Sequence, residues 1–265
     1  RIHSFPRLDD VGPTPKAKNE EEASDTYNMN HKRRGIALIF NNIHFRKMAV
    51  REGGEHDSEN FAETLMEIGF DVRTIITGSA ELINPFIKAA AEDHTDADCL
   101  VVAVMTHGDS CYLHATECLY SIDALWNAFS RERCPTLAGK PKLFFVQVSD
   151  FRRFNVREST LGTADYSRSW SSPHSADIMA VYSTCSDMRS YRNIVSGSYF
   201  IQALCKELRK HWKTRELFWI MTAVIRRVIA DTQSVVLPHH HGLCAGQQVP
   251  LIVSTLTRSV YFKRK

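Results

Sequence analysis

Short runs of apolar residues, each closed by polar or turn residues, alternate with amphipathic segments along most of this chain. Unbroken apolar runs of this length are typical of strands that are buried on both faces of a parallel sheet. They predict five strands, at residues 35–42, 70–76, 99–105, 143–147 and 178–184. Apolar residues at helical spacing predict five helices, at residues 57–68, 80–92, 122–129, 197–211 and 217–230. An extended segment at residues 250–262 completes the predicted elements.

Two polar residues stand where predicted strands end. His107 follows the strand at residues 99–105, and Ser149 follows the strand at residues 143–147. Alternating strands and helices imply right-handed parallel crossovers, which bring the carboxyl ends of both strands to one edge of an α/β sheet. Ligands bind at that edge in open sheets of this class. The pattern therefore predicts that His107 and Ser149 lie close together in a functional site.

Two segments lack the periodic pattern and set the predicted domain organisation. Residues 1–34 hold three of the nine prolines, short acidic and basic runs and few apolar residues, which predicts a flexible N-terminal arm. Residues 152–176 collect Ser, Thr, Gly, Arg and Asp, which predicts an exposed linker. Residues 35–151 and 177–265 are then the two parts of one α/β domain.

Composition narrows the class of protein. The 265 residues are 43% hydrophobic, and the net charge of +3 forms no basic stripe, which argues against nucleic acid or a membrane as partner. The seven cysteines show no paired short spacing, and no signal-peptide core or membrane-length apolar run is present, so we expect a soluble cytoplasmic protein. Three adjacent histidines at 239–241 cannot all face one ion from a regular element. We expect no metal and no cofactor.

Three motifs resemble those of the caspase family of aspartate-directed cysteine proteases. Residues 106–109, Thr-His-Gly-Asp, look like the family's Ser-His-Gly-Glu, and residues 134–147 are similar to its approach to the catalytic cysteine. Residues 191–193 and 197–202 look like its small-subunit substrate-binding segment. The resemblance covers residues 27–262 and implies the caspase fold: a mostly parallel six-stranded sheet between helices, a three-layer sandwich whose sheet extends across the two-fold axis of a dimer.

The family's nucleophile motif is altered in this chain. Its signature is Gln-Ala-Cys-[Arg/Gln/Gly]-Gly with a histidine upstream. Residues 147–151 here read Gln-Val-Ser-Asp-Phe, so Ser149 stands at the cysteine position and His107 at the histidine position. A thiol is readily ionised beside a histidine, whereas a serine hydroxyl is far more basic and needs a differently built triad.

The neighbours of Ser149 also depart from the family pattern. Asp150 inverts the usual positive charge, and Phe151 restricts backbone that is normally glycine. Gly108 keeps the oxyanion-hole position that the resemblance implies. We therefore expect a degenerate dyad of His107 and Ser149, and no peptidase activity.

The resemblance also implies an aspartate pocket formed by Arg51, Gln147 and Arg192, and all three residue types are present. Two guanidinium groups that converge on one carboxylate give bidentate, charge-assisted recognition. The alternative is that Arg51 and Arg192 are surface arginines paired with local acids such as Glu52 or Glu55.

Taken together, these features favour a pseudoenzyme that keeps the caspase scaffold without its nucleophile. The chain looks similar to the inactive caspase-like proteins of insects, including mosquitoes. The expected partners are a paralogous active caspase, an inhibitor-of-apoptosis protein that the chain occupies as a decoy, or a second copy of itself. Two alternatives stay open: a stand-alone binder of Asp-containing peptides, and a residual peptidase that uses Ser149.

Overall fold

The structure is a computed structural model, and it describes residues 24–46, 48–76, 83–108, 112–116, 118–149, 175–185, 190–233 and 247–264. Five α-helices occur in these ranges: α1 (Gly54–Ile68), α2 (Ile83–Ala90), α3 (Asp123–Asn127), α4 (Tyr199–His211) and α5 (Leu217–Thr232). The strands there are β1 (Ile36–Asn41), β2 (Asp71–Ile76), β3 (Leu100–His107), β4 (Tyr112–His114), β5 (Leu119–Ser121), β6 (Lys142–Ser149), β7 (Ile178–Tyr182), β8 (Arg192–Asn193), β9 (Gly197–Ser198) and β10 (Leu251–Ser254).

Six of the strands form one central sheet in the order β10-β7-β6-β3-β1-β2. Neighbouring strands run parallel except at the edge, where β10 is antiparallel to β7. One core cluster lies between the sheet and helices α1, α4 and α5, and a second lies between the sheet and helices α2 and α3. The predicted fold class, a mostly parallel six-stranded sheet flanked by helices, is confirmed.

The inner strands are apolar on both faces because each face meets a helical layer. In β1, Ala37 and Ile39 join the first core cluster, while Ile36, Leu38 and Phe40 join the second. The Phe40 ring stacks on Phe86 of α2 with 4.1 Å between ring centroids. This double burial produces the unbroken apolar runs that predicted β1, β3, β6 and β7.

The five predicted strands and five predicted helices are all present, and the differences lie at their ends. Helix α1 begins at Gly54 rather than at residue 57, because Gly53 takes the left-handed N-cap conformation with φ of 74°, and Asp57 lies inside the helix. Helix α4 begins at Tyr199, because Gly197–Ser198 pairs with Arg192–Asn193 as a hairpin. The sequence pattern did not predict this hairpin, nor did it predict the second hairpin, which joins β4 and β5. Strand pairs this short carry too few residues for a periodic pattern to show.

The predicted flexible arm is wrong for its last eleven residues, 24–34. Tyr27 and Met29 are 3% and 1% exposed and belong to the first core cluster. The Tyr27 backbone N–H donates to Ser259 O at 3.0 Å, and its hydroxyl donates to Asp177 Oδ1 at 2.7 Å. Two apolar side chains are too few to form a periodic pattern in the sequence. Tyr27 and Met29 are nevertheless buried, because they pack against the first core cluster. Residues 1–23 and most of the predicted linker lie outside the described residues.

This attachment predicts a stability effect. Replacing Tyr27 with phenylalanine removes the hydroxyl that donates to Asp177, and we expect a loss of about 1–2 kcal/mol in the free energy of unfolding. Urea denaturation of the wild-type chain and the variant measures this loss. The matched control is Tyr261→Phe, an exposed tyrosine of the C-terminal segment, which should leave stability unchanged. Equal stability of both variants would show that the Tyr27 contact contributes nothing.

Candidate functional site

The two predicted site residues at strand ends are direct register partners. Strands β3 and β6 pair in parallel from Leu100–Lys142 to His107–Ser149. The sheet edge therefore brings the backbones of His107 and Ser149 side by side, as the strand pattern predicted. Asp150 and Phe151 lie outside the described residues.

The imidazole of His107 is oriented by a backbone carbonyl. Its Nε2 lies 3.0 Å from Ala49 O, and the ring of Phe45 packs against it with 4.7 Å between centroids. Because a carbonyl oxygen only accepts, Nε2 carries the proton and donates it, which leaves Nδ1 unprotonated in the neutral ring. A base held by a third group in this way is the arrangement that activates a nucleophile.

Gly108 has a structural reason to be glycine. It forms a β-bridge with Leu113, and a Cβ on Gly108 would lie 2.5 Å from the carbonyl oxygen of Tyr112. Any larger side chain would push the β4–β5 hairpin away from the strand end. The oxyanion-hole role that the resemblance implies for Gly108 stays a prediction.

Arg51 is fully buried and only partly satisfied. Its Nη1 donates to Asn41 Oδ1 and to Asn42 O, both at 3.1 Å. Its Nε and Nη2 have no hydrogen-bond partner among the described residues. Burial lowers the pKa of Arg51 to about 9, and the nearby positive charge of Arg192 lowers that pKa as well.

Gln147 and Arg192 are the other two residues of the predicted aspartate pocket. Gln147 is buried, its Nε2 donates to Ser190 Oγ at 2.8 Å, and its Oε1 has no partner in the described part of the chain. Arg192 lies on β8, half-buried, and burial lowers the pKa of its guanidinium. Because the charge of Arg192 acts on Arg51, the two arginines lie within electrostatic range of each other.

Asp57 is the acid associated with the two arginines, and no sequence motif indicates this role. Its side chain is buried on α1, its Oδ1 accepts from the Ser198 backbone N–H at 2.7 Å, and its Oδ2 lies 4.0 Å from Arg51 Nη2. Burial raises the pKa of Asp57, and the hydrogen bond from Ser198 and the two arginines oppose that rise. The alternative that Arg51 is a surface arginine paired with Glu52 or Glu55 is wrong, because Arg51 is fully buried.

The aspartate pocket that the resemblance implies for Arg51, Gln147 and Arg192 stays a prediction, and the charges around Arg51 are compatible with it. Two guanidinium groups and one carboxylate leave a net positive charge, and the unpartnered N–H groups of Arg51 supply donors for an anion. Across the described ranges, no group of His, Cys, Asp and Glu residues could hold a metal ion. No helix in the same ranges is long and apolar enough to cross a membrane.

Comparison with known proteins now assigns the family. A family model described as the caspase domain matches residues 34–261. The chain belongs to the caspase family. Among caspases, Caspase-1 of Spodoptera frugiperda is 42% identical over 247 residues, covering 90% of this chain and 82% of that protein. Caspase drICE of Drosophila melanogaster is 36% identical over 248 residues, covering 90% of this chain and 73% of that protein.

Solved caspase structures agree with this assignment. The crystal structure of Caspase-1 from Spodoptera frugiperda superimposes with a TM-score of 0.76 at 39% identity, covering 96% of this chain and 100% of that one. The structure of pro-sf-caspase-1 gives a TM-score of 0.77 at 38% identity, covering 97% of this chain and 99% of that one. Caspases are cysteine peptidases, so Ser149 becomes the residue that decides whether this member retains the family chemistry.

Proposed function

We propose that this chain is a catalytically inactive caspase homologue that regulates an active paralogous caspase. It does so by dimerising with that caspase or by acting as a decoy for its inhibitors. The observation that carries the proposal is the pairing of Ser149 with His107 at the end of β6, on an otherwise retained caspase scaffold.

The group that orients His107 supports the loss of peptidase activity. Ala49 contributes an uncharged carbonyl oxygen, which fixes the ring but stabilises an imidazolium less than a buried carboxylate does. A thiol can still ionise beside such a histidine, because its reference pKa is near 8.5. A serine hydroxyl is far more basic and gains too little from this arrangement. Ser149 therefore lacks the activation that a serine peptidase requires.

The edge strand β10 is the surface that we assign to dimerisation. It pairs with β7 on one side and ends the central sheet on the other. Leu251, Ile252 and Val253 are each half-buried in the single chain, so an antiparallel partner strand would complete both their hydrogen bonds and their burial. The partner is a paralogous active caspase, or a second copy of this chain.

Co-purification with the paralogous caspase, followed by assay of that caspase on an Asp-containing peptide, tests the regulatory proposal. We expect association at micromolar concentrations and a change in turnover. Val253→Lys, at the β10 edge, should abolish association, whereas Ile76→Lys, the same kind of change on the opposite edge strand β2, should not. If the caspase neither associates nor changes activity, the dimer route is excluded. Adding an inhibitor-of-apoptosis protein then tests the decoy route.

Two other functions have their own tests. The pocket of Arg51, Gln147 and Arg192 favours a stand-alone binder of Asp-containing peptides, which would bind such peptides without affecting any caspase. A residual peptidase would show turnover of an Asp-containing fluorogenic peptide that is lost on Ser149→Ala. Either result, without caspase association, would replace the regulatory proposal.

A further inference from the structure

We propose that two buried side chains, Asp57 and Gln248, position the hairpin that carries Arg192 and so determine how selectively the pocket binds a carboxylate. This inference rests on the proposed binding of Asp-containing peptides. Neither residue belongs to the predicted pocket, and each comes from a different part of the chain.

The hairpin cannot hold Arg192 in place by itself. Strands β8 and β9 have two residues each and pair through Arg192–Ser198 and Asn193–Gly197. The residues of its turn, Ile194 and Val195, are 62% and 80% exposed, so they contribute little burial. An isolated two-stranded hairpin is marginally stable at best in water. The position of Arg192 therefore depends on contacts that the hairpin makes with the rest of the domain.

Asp57 holds the end of the hairpin that leads into α4. The Ser198 backbone N–H donates to Asp57 Oδ1 at 2.7 Å, and Ser198 is the register partner of Arg192. Gly197 has φ of 87°, and a Cβ there would overlap Asp57 Oδ1. The approach is thus closer than any residue other than glycine allows. Because Asp57 lies on α1, this contact ties the hairpin to the first helical layer.

Gln248 holds the other end of the hairpin, next to Tyr191. Its Oε1 accepts from the Tyr191 backbone N–H at 2.8 Å, and its Nε2 donates to Ser183 O at 2.6 Å. Its own backbone N–H donates to Thr232 Oγ1 at 3.0 Å, at the end of α5. The side chain is fully buried and uses both its donor and its acceptor. Gln248 therefore links the residue before Arg192 to the end of β7 and to α5.

Arg51 is anchored at the end of β1, where its Nη1 donates to Asn41 Oδ1 and Asn42 O, and its Nη2 lies 4.0 Å from Asp57 Oδ2. The separation of the two guanidinium groups therefore depends on the contacts that locate the hairpin of Arg192, and those of Asp57 and Gln248 are among them. Bidentate recognition is sensitive to small displacements of either arginine, because both guanidinium groups must face the same carboxylate. A hairpin released at either end would bind anions with less discrimination.

The test uses the full chain and two readouts. Amide hydrogen exchange reports on the Tyr191 and Ser198 N–H groups, and titration compares an N-acetylated tetrapeptide ending in Asp with the same peptide ending in Asn. Gln248→Leu should raise exchange at Tyr191 and weaken Asp-peptide binding by about tenfold, the value of one buried hydrogen bond. The preference of this variant for the Asp peptide over the Asn peptide should also fall.

Asp57 is tested with a pair of variants. Asp57→Leu removes the acceptor and should expose the Ser198 amide, while Asp57→Asn keeps an acceptor and should keep that amide protected. The control is Thr64→Val, which removes a buried hydroxyl of the same helix that donates to the Asn60 carbonyl one turn earlier. It should change neither exchange at the hairpin nor the peptide preference. If Asp57→Leu fails to fold, Gln248→Leu and Asp57→Asn still decide the outcome.

The readouts separate the two levels of the proposal. Unchanged exchange at Tyr191 and an unchanged Asp-to-Asn preference in Gln248→Leu would overturn the positioning role. Failure of the wild-type chain to bind the Asp peptide would overturn the proposed carboxylate binding, and with it the claim on selectivity. Hairpin exchange is measured without peptide, so the two failures are distinguishable.

Discussion

Replacing Ser149 with cysteine alone leaves the chain nearly inactive toward an Asp-containing fluorogenic peptide. The variant regains a thiol, whose reference pKa is near 8.5, at the residue that pairs in register with His107, and Ala49 O at 3.0 Å already orients the His107 ring. Asp150, the next residue in the sequence, still carries a negative charge, and Phe151 still stands where the family has glycine. The negative charge disfavours the thiolate, so the single change does not restore the chemistry.

Restoring four positions together should raise turnover by about a hundredfold or more over the single variant, since nucleophile activation and oxyanion stabilisation each contribute on the order of 10² or more. The four changes are Ser149→Cys, Val148→Ala, Asp150→Arg and Phe151→Gly. Adding His107→Ala to the restored chain is the control and should abolish the gain. Strong activity from Ser149→Cys alone would refute the inhibitory role assigned to the neighbouring residues.

Arg192→Ala should weaken binding of a plain Asp-ending peptide by about a hundredfold, because removing one partner of a desolvated charge pair costs about 2–5 kcal/mol. The remaining guanidinium, that of Arg51, is buried beside Asp57 and cannot replace the contacts that two guanidinium groups make with one carboxylate. Fluorescence anisotropy with a labelled peptide measures the effect. Peptide aldehydes are unsuitable, since they need the thiol that Ser149 lacks.

The matched control is Arg192→Lys, which keeps the positive charge and loses the planar fork. We expect it to bind the Asp peptide with an affinity between those of the wild-type chain and Arg192→Ala. Equal binding by all three proteins would reject the arginine pocket. Equal binding by Arg192→Lys and the wild-type chain would show that charge alone, without bidentate geometry, accounts for recognition.

Most of the central sheet and part of the site were predictable from local pattern. The apolar runs of β3 and β6 identify two buried strands, and the polar residues that follow them place His107 and Ser149 at one sheet edge. Arg51, Gln147 and Arg192 were reached through motif resemblance, and the structure brings the charges of the two arginines into range of each other. Their binding role stays a proposal.

The residues that support the site left no comparable sign. Ala49 acts through a backbone carbonyl, which every residue type has, so its identity carries no information about its role. Asp57 is the first residue of the predicted helix at residues 57–68, a position where a carboxylate is common. Gln248 lies just before the predicted extended segment at residues 250–262 and belongs to none of the motifs. The contacts of Asp57 and Gln248 with the hairpin join residues 141 and 57 positions apart in the chain.

The sequence by itself determined the order of five central strands and five helices, the sheet edge that carries His107 and Ser149, and the absence of cysteine from the nucleophile position. These follow from periodicity and residue identity, which are local properties. Only the tertiary structure decided that residues 24–34 pack on the domain, that Arg51 is fully buried, and that Asp57 and Gln248 hold the Arg192 hairpin. Burial and long-range hydrogen bonds depend on which distant segments meet, and no local pattern encodes that.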